Sequence, residues 1–269
     1  MELGGGTALE EASGMIAVAL SLSVLIGISL GLLGGGGSIL TLPILTYAVG
    51  METKAAIAAS LFVVAVTSGV GAIAHARAGR IRWRTGLLFG AAGMVGAFVG
   101  GRVAAYIPGG VLMVAFAGMM VATAIAMLRG RRAPAKAGPG APPPIQDLPF
   151  GKVLVEGAVV GIVTGIVGAG GGFLVVPALV LLGGLSMELA IGTSLVVISM
   201  KSFAGLAGHL GHVDIDWPIT LAVTGAAVVG SVLGGRLAGK IPGDVLRRGF
   251  GWFVLVMAAF VLSKQAGLF

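Results

Sequence analysis

A shift of 134 residues lays the second half of this chain on the first without a gap, from Gly27 against Gly161 to Val111 against Val245. The residues that coincide are those that break, cap or anchor helices: Gly31/Gly165, Gly34/Gly168, Gly36/Gly170, Gly37/Gly171, Pro43/Pro177, Ser60/Ser194, Ser68/Ser202, His75/His209 and Trp83/Trp217. The register continues through Gly96/Gly230, the triplets Gly100-Gly101-Arg102 and Gly234-Gly235-Arg236, and Pro108/Pro242. Shared hydrophobicity alone does not reproduce punctuation over so long a stretch. Each half is therefore one structural unit, and the chain is a duplicated fold.

The medium of that fold follows from composition. With 57% apolar and 10% charged residues, the chain lies outside the soluble globular range. Apolar stretches run at roughly 15–33, 55–76, 86–105, 111–128, 153–167, 189–210, 219–238 and 249–262. Crossing ~30 Å of hydrocarbon takes about 20 helical residues, which most of these supply and 153–167 does not. They are continuously apolar and rich in Ala, Leu and Gly, so they read as helices rather than alternating barrel strands. The expectation is an all-α polytopic membrane protein with two repeats, at 15–128 and 151–264. Short tails at 1–14 and 265–269 and a basic Pro/Gly-rich linker at 129–150 complete it. The absence of cysteine excludes a disulfide framework and thiolate metal sites, and neither a cofactor nor a metal is expected. A net charge of +7 arises from loop cations without aromatic interleaving, which fits positive-inside topology rather than nucleic acid. Glu2, Glu10 and Glu11 precede the first apolar run where a cleaved secretory signal carries a basic region.

Charge also orients the halves. The loop after the second apolar stretch carries Arg77, Arg80, Arg82 and Arg84, whereas its counterpart carries Asp214 and Asp216. Conversely, the uncharged turn at 109–111 answers to a region with Lys240, Asp244, Arg247 and Arg248. Opposite charge at equivalent loops is what insertion of the repeats in opposite orientations predicts. Inversion needs an odd number of crossings per half. The stretches 15–49 and 153–182, each interrupted by a glycine run, are therefore expected to be re-entrant helical hairpins. The basic linker and the Arg77–Arg84 loop then face the cytoplasm, and Asp214 and Asp216 face outward.

The glycine runs are the strongest local motif: GLLGGGGSILTLP at 31–43 and GIVGAGGGFLVVP at 165–177. Glycine costs up to ~1 kcal/mol in a helix relative to alanine, and proline removes a donor, so both runs should break the backbone. Such breaks at membrane depth are tolerated only where protein or a water-filled cavity covers them. Two of them facing one another would bring helix N-termini and free amides to the midplane, which is the chemistry of an anion site. The candidate residues are Gly34, Gly35, Gly36, Gly37, Ser38 and Thr41 in the first run and Gly168, Gly170, Gly171 and Gly172 in the second. Without the Gly-Lys-Ser/Thr ending of a nucleotide loop, nothing points to ATP hydrolysis.

These paired Gly-rich segments ending in Pro, the Ser/Thr-containing helix after each, the GGR triplets and the basic central loop resemble the sulfite exporter TauE/SafE family. The resemblance extends over about 15–262. It implies a multi-pass transporter of the bacterial inner membrane that moves sulfite, sulfoacetate or related organosulfur anions.

Lys201 stands inside the stretch 189–210, where its repeat mate is Thr67. A charge near the bilayer centre costs at least ~2.5 kcal/mol and needs a partner. An anionic substrate is one such partner, and carbonyls freed by the helix breaks are the other. At helical spacing Lys201 shares a face with Ser194, Ile198, Gly205, Gly208 and His212. Ser60 and Thr193, with Ser194, are candidates to orient the anion, and Thr67 and Lys201 are candidates to bind it. His75 and His209 are candidates to carry coupled protons, with an interfacial capping role as the alternative. Arg102 and Arg236 read as snorkelling or capping groups. The expected function is secondary transport, as export, of a small sulfur-containing anion by alternating access. A passive anion channel of the same fold is the alternative, and monomer and homodimer both remain open. No nucleophile–base pair lies in the apolar stretches to suggest an enzyme.

Topology reporters fused at Gly211 and at Gly243 check the inversion. Gly211 is expected outside and Gly243 in the cytoplasm, and a cytoplasmic Gly211 rejects it.

Overall fold

The structure, a computed structural model, describes residues 20–129, 150–167, 172–210, 213–238 and 240–267. The N-terminal tail, most of the linker, Gly168, Gly170, Gly171 and His212 lie outside the described residues. Within them all regular structure is helical. Six helices are long and apolar enough to cross a membrane: α3 (Thr53–Arg77), α4 (Trp83–Ala104), α5 (Gly109–Arg129), α8 (Met187–His209), α9 (Trp217–Ala238) and α10 (Gly243–Gln265). Four are shorter: α1 (Leu20–Leu33), α2 (Gly36–Pro43), α6 (Phe150–Val167) and α7 (Gly172–Pro177). Three long and two short helices per half fit three full crossings beside a broken hairpin.

Helix starts obey the duplication: Thr53 and Met187, Trp83 and Trp217, and Gly109 and Gly243 are repeat mates. So do the irregularities. Pro43 and Pro177 sit inside their helices, and each is followed by one widened π-helical turn, Ile44–Ala48 and Ala178–Leu182. A proline cannot donate to the carbonyl four residues back, and the turn after it relaxes to five-residue bonds, Val49 N–H to Ile44 O at 3.0 Å and Gly183 N–H to Ala178 O at 2.9 Å. One boundary departs from the apolar pattern. Helix α10 begins at Gly243, directly after Pro242, so Arg247 and Arg248 stand on its first turns rather than in a loop, and Arg247 lies 3.7 Å from Asp244.

The halves interpenetrate. Helix α6 of the second half packs on α4 of the first. A Cβ built on Gly96 would lie 2.3 Å from Ala158 O, and one on Gly161 would lie 2.3 Å from Gly93 O. The mate interface, α1 on α9, has the same construction: a Cβ on Gly31 would lie 2.3 Å from Ser231 O, and one on Gly230 would lie 2.1 Å from Val24 O. These helices touch backbone to backbone, the packing available where lipid gives no hydrophobic drive for association.

At the centre α3 crosses α8, its own repeat mate. Ser199 Oγ donates to Ala65 O at 2.9 Å, and the two residues occupy the same repeat position. Contact between equivalent positions is compatible with a pseudo-twofold relation between the halves. Along the pair, Leu61 meets Gly205 and His75 meets Gly192, so the two helices run antiparallel. Outward-facing Val95, Val99, Leu221, Val229 and Val256 form the apolar exterior, and exposed Trp83 and Trp217 begin α4 and α9 at the level of a membrane interface.

Alanine at Gly96 or Gly161 should lower stability by about 1–3 kcal/mol through overpacking. Alanine at Gly225, whose Cβ would meet nothing within 4 Å, should not. Thermal unfolding in detergent compares the three, and equal melting temperatures refute the backbone contact.

Candidate functional site at the broken helices

Helix α1 ends at a glycine because its chain must reverse within a few residues. Gly34 adopts φ of +71°, the left-handed region that costs a side chain but not glycine. The chain then doubles back, so that a Cβ on Gly37 would lie 2.2 Å from Ile26 O. The reversal strands carbonyls at the end of α1. Two long helices meet that need. Ser194 of α8 shares its one Oγ proton between Gly34 O at 3.2 Å and Ile191 O of its own helix at 2.8 Å, and His75 of α3 donates through Nε2 to Gly31 O at 3.2 Å.

The two breaks meet each other. A Cβ on Gly35 would lie 2.2 Å from Gly172 O, and one on Gly172 would lie 2.9 Å from Gly35 Cα and 3.0 Å from Ser38 Oγ. Ser38 and Gly172 are repeat mates, so this junction too is compatible with a pseudo-twofold relation between the halves. Ile198 Cδ1 approaches the same Cβ position to 2.8 Å. Ile198 is the middle residue of α8, about 16 Å from either end at 1.5 Å per residue. The breaks therefore meet at mid-depth, with the start of α2 and the start of α7 side by side and no space between them.

The hydroxyls around the junction are buried and engaged. Ser38 donates to Gly35 O at 2.7 Å, Thr41 to Gly37 O at 3.0 Å and Ser60 to Ile57 O at 2.8 Å. Thr193 lies nearer the membrane boundary, where its Oγ1 accepts from Arg82 N–H at 3.0 Å and holds the start of α4. Thr67 is fully buried, and its hydroxyl has no hydrogen-bond partner among the described residues.

Lys201 is 1% exposed, and its Nζ donates to Thr164 Oγ1 at 3.0 Å. Thr164 lies on α6 just before the second glycine run, and the Lys201 stem passes Gly93 of α4. The ammonium thus sits at the edge of the second break, one turn along α8 from Ile198. Among the described residues no carboxylate pairs with it. Its partner Thr164 escaped the sequence reading, although a lone hydroxyl immediately before a glycine break, with Leu30 as its repeat mate, is a readable signal. Ser199 escaped it too, because its mate Ala65 contributes only a carbonyl. Both histidines are buried near helix ends. His209 Nδ1 donates to Gly205 O at 3.0 Å, and His75 Nδ1 has no partner among the described residues.

Replacing Ser194 with Ala strips the donor from Gly34 O and should cost about 1–3 kcal/mol. Ser263→Ala, which removes an exposed hydroxyl, is the control in thermal unfolding. Equal stability of the two variants would show that the break does not depend on Ser194.

Comparison with known proteins adds the family. A "Probable membrane transporter protein" of Xylella fastidiosa (strain 9a5c) is 33% identical over 248 residues, which cover 90% of this chain and 92% of that protein. YdhB of Bacillus subtilis (strain 168), with the same description, is 26% identical over 83% of this chain and 90% of its own length. MJ0441 of Methanocaldococcus jannaschii, again so described, is 27% identical over 90% of this chain and 95% of its own. No solved structure matches the chain. The family model for the sulfite exporter TauE/SafE matches residues 19–261, spanning both broken hairpins, five long helices and all but the last four residues of α10, and the chain belongs to that family of membrane transporters.

Proposed function

We propose that the chain is a secondary transporter that exports a small sulfur-containing anion, such as sulfite or a sulfoacetate-like organosulfonate, across a bacterial inner membrane. The observation that carries this reading is Lys201: a lysine at mid-membrane whose hydrogen bond goes to a neutral hydroxyl. Burying a cation there costs at least ~2.5 kcal/mol, and a permeating anion offsets that cost whenever it is bound. The amides at the starts of α2 and α7, at the same depth, add donors without adding a fixed charge. Thr67, with its unpartnered hydroxyl, is the neutral repeat counterpart of Lys201.

Alternating access suits the closed junction. Gly35 and Gly172 touch, so an anion that binds between the breaks must part them. The antiparallel run of α3 and α8 supports insertion of the repeats in opposite orientations, in which rocking one repeat on the other opens each end in turn. One end is packed shut: a Cβ on Gly192 would lie 2.1 Å from Arg80 O. His75, with one ring nitrogen bonded to Gly31 O and the other without a partner among the described residues, suits a proton carrier for coupling. The family description supplies sulfite as the first substrate to try, while the relatives' names go no further than membrane transport.

Purified protein in lipid vesicles tests the reading with radiolabelled sulfite. An imposed pH gradient should drive accumulation, whereas simple equilibration identifies a passive channel. Lys201→Ala should slow transport about tenfold or more, the equivalent of losing one charged hydrogen bond. An unchanged rate rejects the role given to Lys201.

A further inference from the structure

A second polar locus lies away from the junction. The end of α4, the first turns of α3 and α5, the end of α8 and the segment after it enclose a cavity of about 150 Å³, lined by Lys54, His209, Ala104, Leu112 and Val213. One water needs roughly 10–15 Å³ of such space, so a small oxyanion fits there with part of its hydration shell. Among the described residues, the charge-bearing or titratable side chains that line it are Lys54 and His209.

Lys54 is half-buried, and its Nζ donates to Ala105 O at 2.9 Å, where it caps the carbonyl end of α4. That bond uses one of its three donors and fixes the ammonium at the cavity wall. Among the described residues no carboxylate pairs with it. The nearest acid in sequence, Glu52, turns its Oε2 to the backbone N–H groups of Lys54 and Ala55 at 3.0 and 3.2 Å and so caps α3. Asp216 likewise caps α9 through Ile219 N–H at 3.1 Å. Both line a separate outer hollow together with Asp214, so the inner wall keeps its positive character. His209, 3% exposed, adds a ring that faces this space.

The repeat register makes the feature one-sided. The mate of Lys54 is Glu188, which is exposed, and at that end the loop before α4 fills the ground: Arg80 O abuts Gly192 and Arg82 N–H bonds Thr193. Here the corresponding α3 residues are Ala58 and Ala59, without a hydroxyl to hold the opposing segment.

We propose that the Lys54–His209 cavity is a second anion site, a vestibule that takes a small oxyanion on the path between the junction and the outer face. The proposal deepens the transport reading above and rests on it for the word path. The site itself is an independent claim.

Equilibrium binding of radiolabelled sulfite to the intact chain in lipid nanodiscs tests it, with Lys54→Gln and Lys54→Arg beside Lys201→Ala. Two binding components are expected. Lys54→Gln, which keeps a donor for Ala105 O but loses the charge, should weaken one component about tenfold, and Lys54→Arg should keep it. Lys201→Ala should leave that component in place and remove the other. Sulfite binding by Lys54→Gln that matches the unsubstituted chain overturns the site, as does absence of sulfite binding altogether. Lys54-dependent binding in a protein that transports no sulfite in vesicles would sustain the site and overturn the transport reading, so the two failures are distinguishable.

Discussion

A backbone that stops being helical inside a membrane must find partners for its stranded carbonyls within the protein, and the rest of this structure depends on how that is done. The first break finds them on α3 and α8, which lend His75 and Ser194 to the carbonyls of Gly31 and Gly34. Those donors come from two different repeats. The hairpin of one half is therefore held by a helix of the other as well as by its own, and the broken segments are fixed only when both halves are folded together.

The same dependence explains the glycines. Helix α6 reaches its place against α4, and α1 its place against α9, only because Gly96, Gly100, Gly161 and their mates admit a carbonyl where a methyl group would otherwise stand. This close approach carries the breaks inward until Gly35 touches Gly172 beside the centre of α8. Lys201 then meets Thr164, because α6 is pressed against the helices that flank it. Close packing thus brings the two together, and among the described residues no carboxylate pairs with Lys201. The proposed transport uses that combination, a rigid scaffold on either side and a lysine bonded to a neutral hydroxyl.

Much of this is legible in the sequence. The gap-free register anticipated that the long helices would start at equivalent residues, and the Gly-rich motifs marked where the chain breaks, because glycine and proline act on the backbone of their own neighbourhood. Lys201 was conspicuous for the same reason: a charge in an apolar stretch is costly whatever surrounds it. Roles that depend on a partner far along the chain were less legible. Ser38, Thr41 and Ser60 have hydroxyls suited to an anion, yet each donates to a carbonyl of its own helix. Thr193, one residue from Ser194, serves the start of α4 instead of the break. The start of α10 moved outward past the apolar pattern, since a helix can continue into water once Pro242 has initiated it.

By itself the sequence determined that the chain is helical, membrane-embedded and built twice, because apolar length, glycine–proline breaks and a repeat register are local properties of the covalent chain. Only the tertiary structure decided which half each short helix packs against, that the two breaks meet at Gly35, Ser38 and Gly172, and that Lys54 and His209 share a cavity. Those facts turn on distances between residues remote in sequence, set by how closely backbones approach, and no local pattern encodes them.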